Sequence, residues 1–158
     1  MTDHDHIRNL LASYSHCADN NDGVAYQSLF TEDGELIEGG MAIPRSRLST
    51  VLRLAGKAAD EQPPPFGMKH LQVNSWIEVD GENAKAITDL LIVKLRADTG
   101  WTIGGNGRYT DELRCVDGRW LFRRRSITWY PSLPVHPGDE AYNARLRQLI
   151  KGALTADL

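Results

Sequence analysis

The stretch that most limits what this chain can become is WTIGGNGRYTDELRCVDGRWLFRRRSITWYP, residues 101–131. Asp117-Gly118 between two runs of aromatic and branched residues is a strong short-range signal of a β-hairpin. One arm is expected from Trp101 to Val116 and the other from Arg119 to Tyr130. The second arm carries three consecutive arginines. Side chains alternate across a strand, so Arg124 is expected on one face and Arg123 and Arg125 on the other. At least one guanidinium must then face whatever the sheet covers. It cannot shed its proton, so it needs an anion, water or a polar cavity there.

The rest of the chain supplies helices first and long strands second. Thr2-x-x-Asp5 has the shape of an imperfect capping box. Behind it Ile7, Leu10, Leu11, Tyr14 and Ala18 recur at helical spacing. Residues 19–23, DNNDG, break that helix, and a short one is expected over about 22–30. TEDGE reads as a turn and LIEGG as a short strand. Pro44 suits the start of a third helix whose stripe is Leu48, Val51, Leu52 and Ala55. Pro63-Pro64-Pro65 closes it. A strand over about 68–79 sets His70, Gln72, Asn74 and Trp76 on one face and Leu71, Val73, Ser75, Ile77 and Val79 on the other. Another follows over 84–96. After Tyr130, Pro131, Pro134 and Pro137 suggest a rigid crossing into a last helix, Asp139 to Ile150, with residues 151–158 as a frayed tail. Helices followed by an antiparallel meander make an α+β pattern rather than βαβ units. Long twisted strands with helices on one face can enclose a cavity.

At 158 residues, one domain with a proper core is expected. Acidic residues outnumber basic ones 21 to 18, so no general attraction for nucleic acid or acidic membranes is expected. Cys17 and Cys115 lack Cys-x-x-Cys spacing and read as reduced thiols of a cytoplasmic protein. The first twenty residues lack the pattern of a signal peptide, and no apolar run is long enough for a membrane span. His4 and His6 lie near a mobile terminus poorly suited to fixing a metal. His136 sits among prolines and reads as a loop residue. IGGNGRY lies between strand segments, not in a βα turn, so it is no dinucleotide site.

Four polar residues need explaining. His70 can be a hydrogen-bonded structural or surface histidine, or a general base, since histidine titrates near neutrality. Asp19 can start an Asx-type turn, or can hold the proton on one imidazole nitrogen. The Tyr14 ring fits the helix core, but its buried hydroxyl demands a partner. Arg125 can be a solvated strand arginine, or can stabilise a leaving anion or developing enolate. The rings of Trp76, Trp101, Trp120, Trp129, Tyr109 and Tyr130 can line an apolar cavity, fill a core or form a subunit contact.

Over about residues 5–150, with YSHCADNNDG, KHLQVN, GRYTDELRCVDGRW and FRRRSITWYP, the chain resembles the SnoaL-like branch of the NTF2-like superfamily. Within it the chain is most similar to the hexachlorocyclohexane dehydrochlorinase, scytalone dehydratase and bile-acid dehydratase group. The resemblance implies a cone-shaped α+β barrel, with N-terminal helices packed on a strongly curved antiparallel sheet. It also implies a homo-oligomer, a trimer in preference to a dimer, and a lyase without cofactor or metal. The Asp-His dyad of that group falls on Asp19 and His70, and the dehydrochlorinase arginine on Arg125. Its pocket lysine is replaced by Tyr14, where the bile-acid dehydratase tyrosine would be expected. The implied activity is dehydratase-type elimination from a small, largely apolar, cyclic molecule. An isomerase or cyclase sharing the proton abstraction, and a non-catalytic small-molecule binder, remain open.

Overall fold

In a computed structural model, the chain is described over residues 1–60, 67–130 and 137–155. Its elements run α1 (Asp3–Asp19), α2 (Gly23–Ser28), β1 (Phe30–Glu38), β2 (Met41–Pro44), α3 (Arg45–Asp60), β3 (Gly67–Asp80), β4 (Asn83–Arg96), β5 (Gly100–Val116), β6 (Arg119–Tyr130) and α4 (Pro137–Thr155). The α+β order is the expected one. The three-proline segment, the prolines at 131 and 134 and His136 lie outside the described residues.

Helix α1 starts at the capping box read from the sequence. The Asp5 backbone N–H donates to Thr2 Oγ1, and the Thr2 N–H donates to Asp5 Oδ2 at 2.9 Å. Ile7, Leu10, Leu11 and Tyr14 form its buried face. The Asp117-Gly118 turn takes φ of 50° and 75°, which matches the twist of two-residue hairpins. α4 extends to Thr155 with Ala153 buried, beyond the expected stop at Ile150.

The sheet corrects two expectations. Strands β3 to β6 form the antiparallel meander, but β1 joins β6 in parallel, and the order is β2-β1-β6-β5-β4-β3. TEDGE is not a free turn. It lies within β1 as a bulge: Phe30 pairs with Phe122 and Glu35 with Arg124, and residues 31–34 have no register partner on β6. The expected cone-shaped barrel with a strongly curved antiparallel sheet does not form; the sheet is mixed and open, with β2 and β3 as its edges. Closure would require those edges to meet. β2 has only four residues before α3 begins. On the free edge of β3, the His70 N–H donates to Asp19 Oδ1 at 3.1 Å, so the end of α1 takes the place of a further strand.

Helices cover one face. Residues of α1, α3 and α4 share a core with Leu36, Ala86, Leu90, Ile92, Tyr109, Leu113, Trp120 and Phe122 of the strands. The opposite face carries exposed Leu71, Val73, Ile87 and Ile103. β3 crosses between the two faces. A bulge after Val73, with Asn74 at φ 54°, shifts the alternation. Trp76, expected beside His70, is therefore turned away and 53% exposed, while Ile77 packs on the core.

Candidate active site

Asp19 is the last residue of α1, and His70 lies early in β3. The two meet because α1 ends against the free edge of that strand. His70 Nδ1 and Asp19 Oδ1 are 2.6 Å apart, with the Asp19 side chain 5% and the His70 side chain 17% exposed. A carboxylate only accepts, so the hydrogen of this contact is the one on Nδ1. The His70 backbone N–H donates to the same carboxylate, which fixes ring and strand together. Lys69 Nζ stands 3.7 Å from Asp19 Oδ2.

Two residues along the same face, Gln72 links the dyad's strand to α1 and to Arg125. Its Nε2 donates to Leu11 O at 2.6 Å and to Ser15 Oγ at 2.8 Å. Its Oε1 accepts from Arg125 Nη2 at 2.8 Å. Arg125 thus faces the helices and is 0% exposed. Its guanidinium lies 3.7 Å from the ring centre of Tyr109 and 4.0 Å from that of Tyr14. Nε stands 3.1 Å from Asp111 Oδ1, out of line for a hydrogen bond, and Nη1 has no hydrogen-bond partner among the described residues. Burial pushes the Asp111 carboxyl up to about 7, against the pull of Arg125.

Arg124 points the other way, donating from Nε to Glu35 at 2.8 Å. Arg123 was expected on the Arg125 side and is not there. A bulge between Glu112 and Leu113 interrupts the alternation, and Arg123 donates to Glu112 at 3.1 Å in the open.

Tyr14 is buried, and the Tyr26 hydroxyl donates to its hydroxyl at 2.6 Å. Burial raises the pKa of Tyr14, Tyr26 and Tyr109, so all three stay neutral phenols. Of the six rings proposed as lining, Tyr109 and Trp120 are buried while Trp76, Trp101 and Tyr130 are exposed. Trp129 is 44% exposed and lies over Gly105 and Gly107. Exposure rises from Arg125 through His70 to Trp129.

Sequence reasoning missed Glu38 and Asp111. Glu38 ends β1, and burial raises the pKa of its carboxyl group. Its signal was the alternation Leu36, Glu38. That of Asp111 was Tyr109, Asp111, Leu113, which places a carboxylate among core residues. Among the described residues, no three His, Cys, Asp or Glu side chains gather as a metal site, and no helix is long and apolar enough to cross a membrane.

Helices on one face of an open mixed sheet, with a carboxylate–imidazole pair where the first helix meets the edge strand, define an α+β protein with an NTF2-like fold. Residues 1–126 match the SnoaL-like domain, and the chain belongs to that family. No curated protein matches it. Among solved structures it is similar to a Mycobacterium tuberculosis protein of unknown function, with TM-score 0.82, 23% identity, and 94% of this chain and 88% of that one covered. It is also similar to an NTF2-like protein with a cystatin-like fold from Novosphingobium aromaticivorans, at TM-score 0.70 and 22% identity over 89% and 88%. A candidate scytalone dehydratase from the same organism gives TM-score 0.67 and 24% identity over 82% and 85%. At these identities the likeness establishes the fold.

Proposed function

We propose that the protein is a cofactor-independent lyase of the dehydratase type. It removes a carbon-bound proton and expels a leaving group at the β position of a small, largely apolar, cyclic molecule. The observation that carries this reading is the 2.6 Å contact between His70 Nδ1 and a nearly buried Asp19 carboxylate. Asp19 holds the tautomer in which Nε2 is the base and stabilises the imidazolium once the proton arrives. Tyr14, kept neutral, supplies a hydroxyl toward negative charge developing on a carbonyl oxygen. Arg125 acts through Tyr14 and Tyr109: it lies against both rings, and its charge favours negative charge above them. It is a positioning residue rather than one that touches substrate.

The test is turnover of cyclic β-hydroxy ketones, with the product identified by mass and by its conjugated double bond. His70→Ala is expected to lower kcat/KM by about 10²–10⁴-fold with an unchanged fold. Unchanged turnover would remove His70 from the mechanism. A product of unchanged mass with a shifted double bond would replace elimination by isomerisation.

A further inference from the structure

The side-chain amide of Gln72 reaches both the helix that ends in Asp19 and the buried guanidinium, and the scheme above gives it no task. We infer that Gln72 is a positioning residue for the dyad: oriented by Arg125, it clamps α1 along β3 so that Asp19 stays on His70. Its effect on rate rests on the lyase reading; the clamp itself does not.

The spacing of helix and strand makes the clamp possible. Leu11, Ser15 and Asp19 follow one another at four-residue steps and so lie on one face of α1. Four helical residues advance about 6 Å, and two strand residues advance about 6.6 Å. Helix and strand run in opposite directions, so Asp19 meets His70 where Ser15 and Leu11 meet Gln72. His70 and Gln72 share a face because the ladder between them is unbroken. They pair with Ile92 and Leu90 of β4, both buried, and the bulge comes only after Val73. Helix α1 is thus held on β3 at two successive points, by a carboxylate at its end and by an amide one to two turns earlier.

The second point calls for a group that donates on one side and accepts on the other, as an amide does. Leu11 O cannot donate, so Gln72 turns its NH2 toward α1, 2.6 Å from Leu11 O and 2.8 Å from Ser15 Oγ. A guanidinium cannot accept, so the same side chain turns Oε1 toward Arg125, whose Nη2 donates at 2.8 Å. Both demands select the same orientation of the amide. Arg125 is itself 0% exposed and lies against the rings of Tyr14 and Tyr109, which hold it in place. The buried arginine therefore has a line to the base that does not pass through substrate: Arg125 sets Gln72, Gln72 sets α1, and α1 sets Asp19 on His70. A displacement of about 1 Å at a reacting group can cost about 10²-fold in rate, which is the scale on which such a clamp acts.

Two variants cut the amide differently. Gln72→Glu keeps an acceptor for Arg125 but, ionised beside it, cannot donate to Leu11 O; Gln72→Met keeps the volume and loses both ends. Each is read first by the proton NMR signal of His70 Nδ1–H, which is shifted downfield while Asp19 holds it and is assigned by its absence in His70→Ala. The second reading is kcat and KM on a cyclic β-hydroxy ketone. Both variants are expected to broaden or lose the signal and to lower kcat by about 10–10²-fold, with KM within about threefold of wild type. A Gln72→Glu variant with wild-type signal and kcat would mean that only the partner of Arg125 matters, and would overturn the clamp. So would a Gln72→Met variant that keeps signal and kcat, whether or not its thermal midpoint falls, since a merely structural side chain behaves in that way. A loss of kcat with the signal intact would overturn it too. Failure of the lyase reading looks different: the signal is lost in both variants, while wild type turns over no such ketone or His70→Ala leaves turnover unchanged.

Discussion

Arg125 and Asp111 form an ion pair in which neither side chain is exposed. Removing two charges from water costs several kcal/mol per ion, and their attraction offsets this only with good geometry. Here the geometry is incomplete, since both Asp111 oxygens lack hydrogen-bond partners among the described residues. Burial therefore wins over the charge of Arg125, and the carboxyl rises to about 7. The sign follows directly. From the ordinary carboxylate range up to about 7, the folded protein holds a proton that the unfolded chain has lost. Stability contributed by this group therefore falls as pH rises through that window and levels off above it. Asp111→Asn cannot ionise, so the variant should gain on wild type between pH 5 and pH 8, measured as the difference in urea midpoint. A variant that is worse by the same amount at every pH would mean that Asp111 is ionised throughout.

At the scale of elements, the informative places are the bulges. The strands β3 to β6 and the buried face of α1 follow from periods of 2 and 3.6 in the sequence, and the hairpin turn and the α1 cap from Asp117-Gly118 and Thr2-x-x-Asp5. Trp76 and Arg123 do not, because an extra residue in a strand reverses the alternation beyond it. Nothing in VNSWI or FRRRS marks the position of that residue before the partner strand is known. Asn74 is the nearest thing to a signal, since asparagine tolerates positive φ better than most residues. Asn74→Gly should be nearly neutral, whereas Asn74→Val should cost roughly 1–2 kcal/mol in urea unfolding. A valine variant as stable as wild type would mean that the bulge is not required. The parallel entry of β1 was equally hidden, because TEDGE has the composition of a turn and, apart from Glu35, bulges from the ladder it interrupts. Tyr14, Asp19, His70 and Arg125 were legible through the family resemblance. Glu38 and Asp111 needed the register that shows which alternate residue is covered.

For the molecule as a whole, strand order sets a gradient of protection. β4, β5 and β6 each have a neighbour on both sides, and β5 is the longest strand at 17 residues. β2 has one neighbour and four residues. Hydrogen exchange should therefore be slowest in β5 and its partners and fastest in β2, with the opening free energy of β5 approaching that of global unfolding. Uniform exchange across the sheet would contradict this ordering.

The other edge is guarded by different means. Asp19 occupies the outward N–H of His70, the position a foreign strand would use to extend the sheet. The carboxylate that aligns the imidazole therefore also blocks templated self-assembly along β3. Covering an open strand edge is a use for this carboxylate in its own right. Asp19→Ala would therefore bare the edge of β3 as well as release the imidazole.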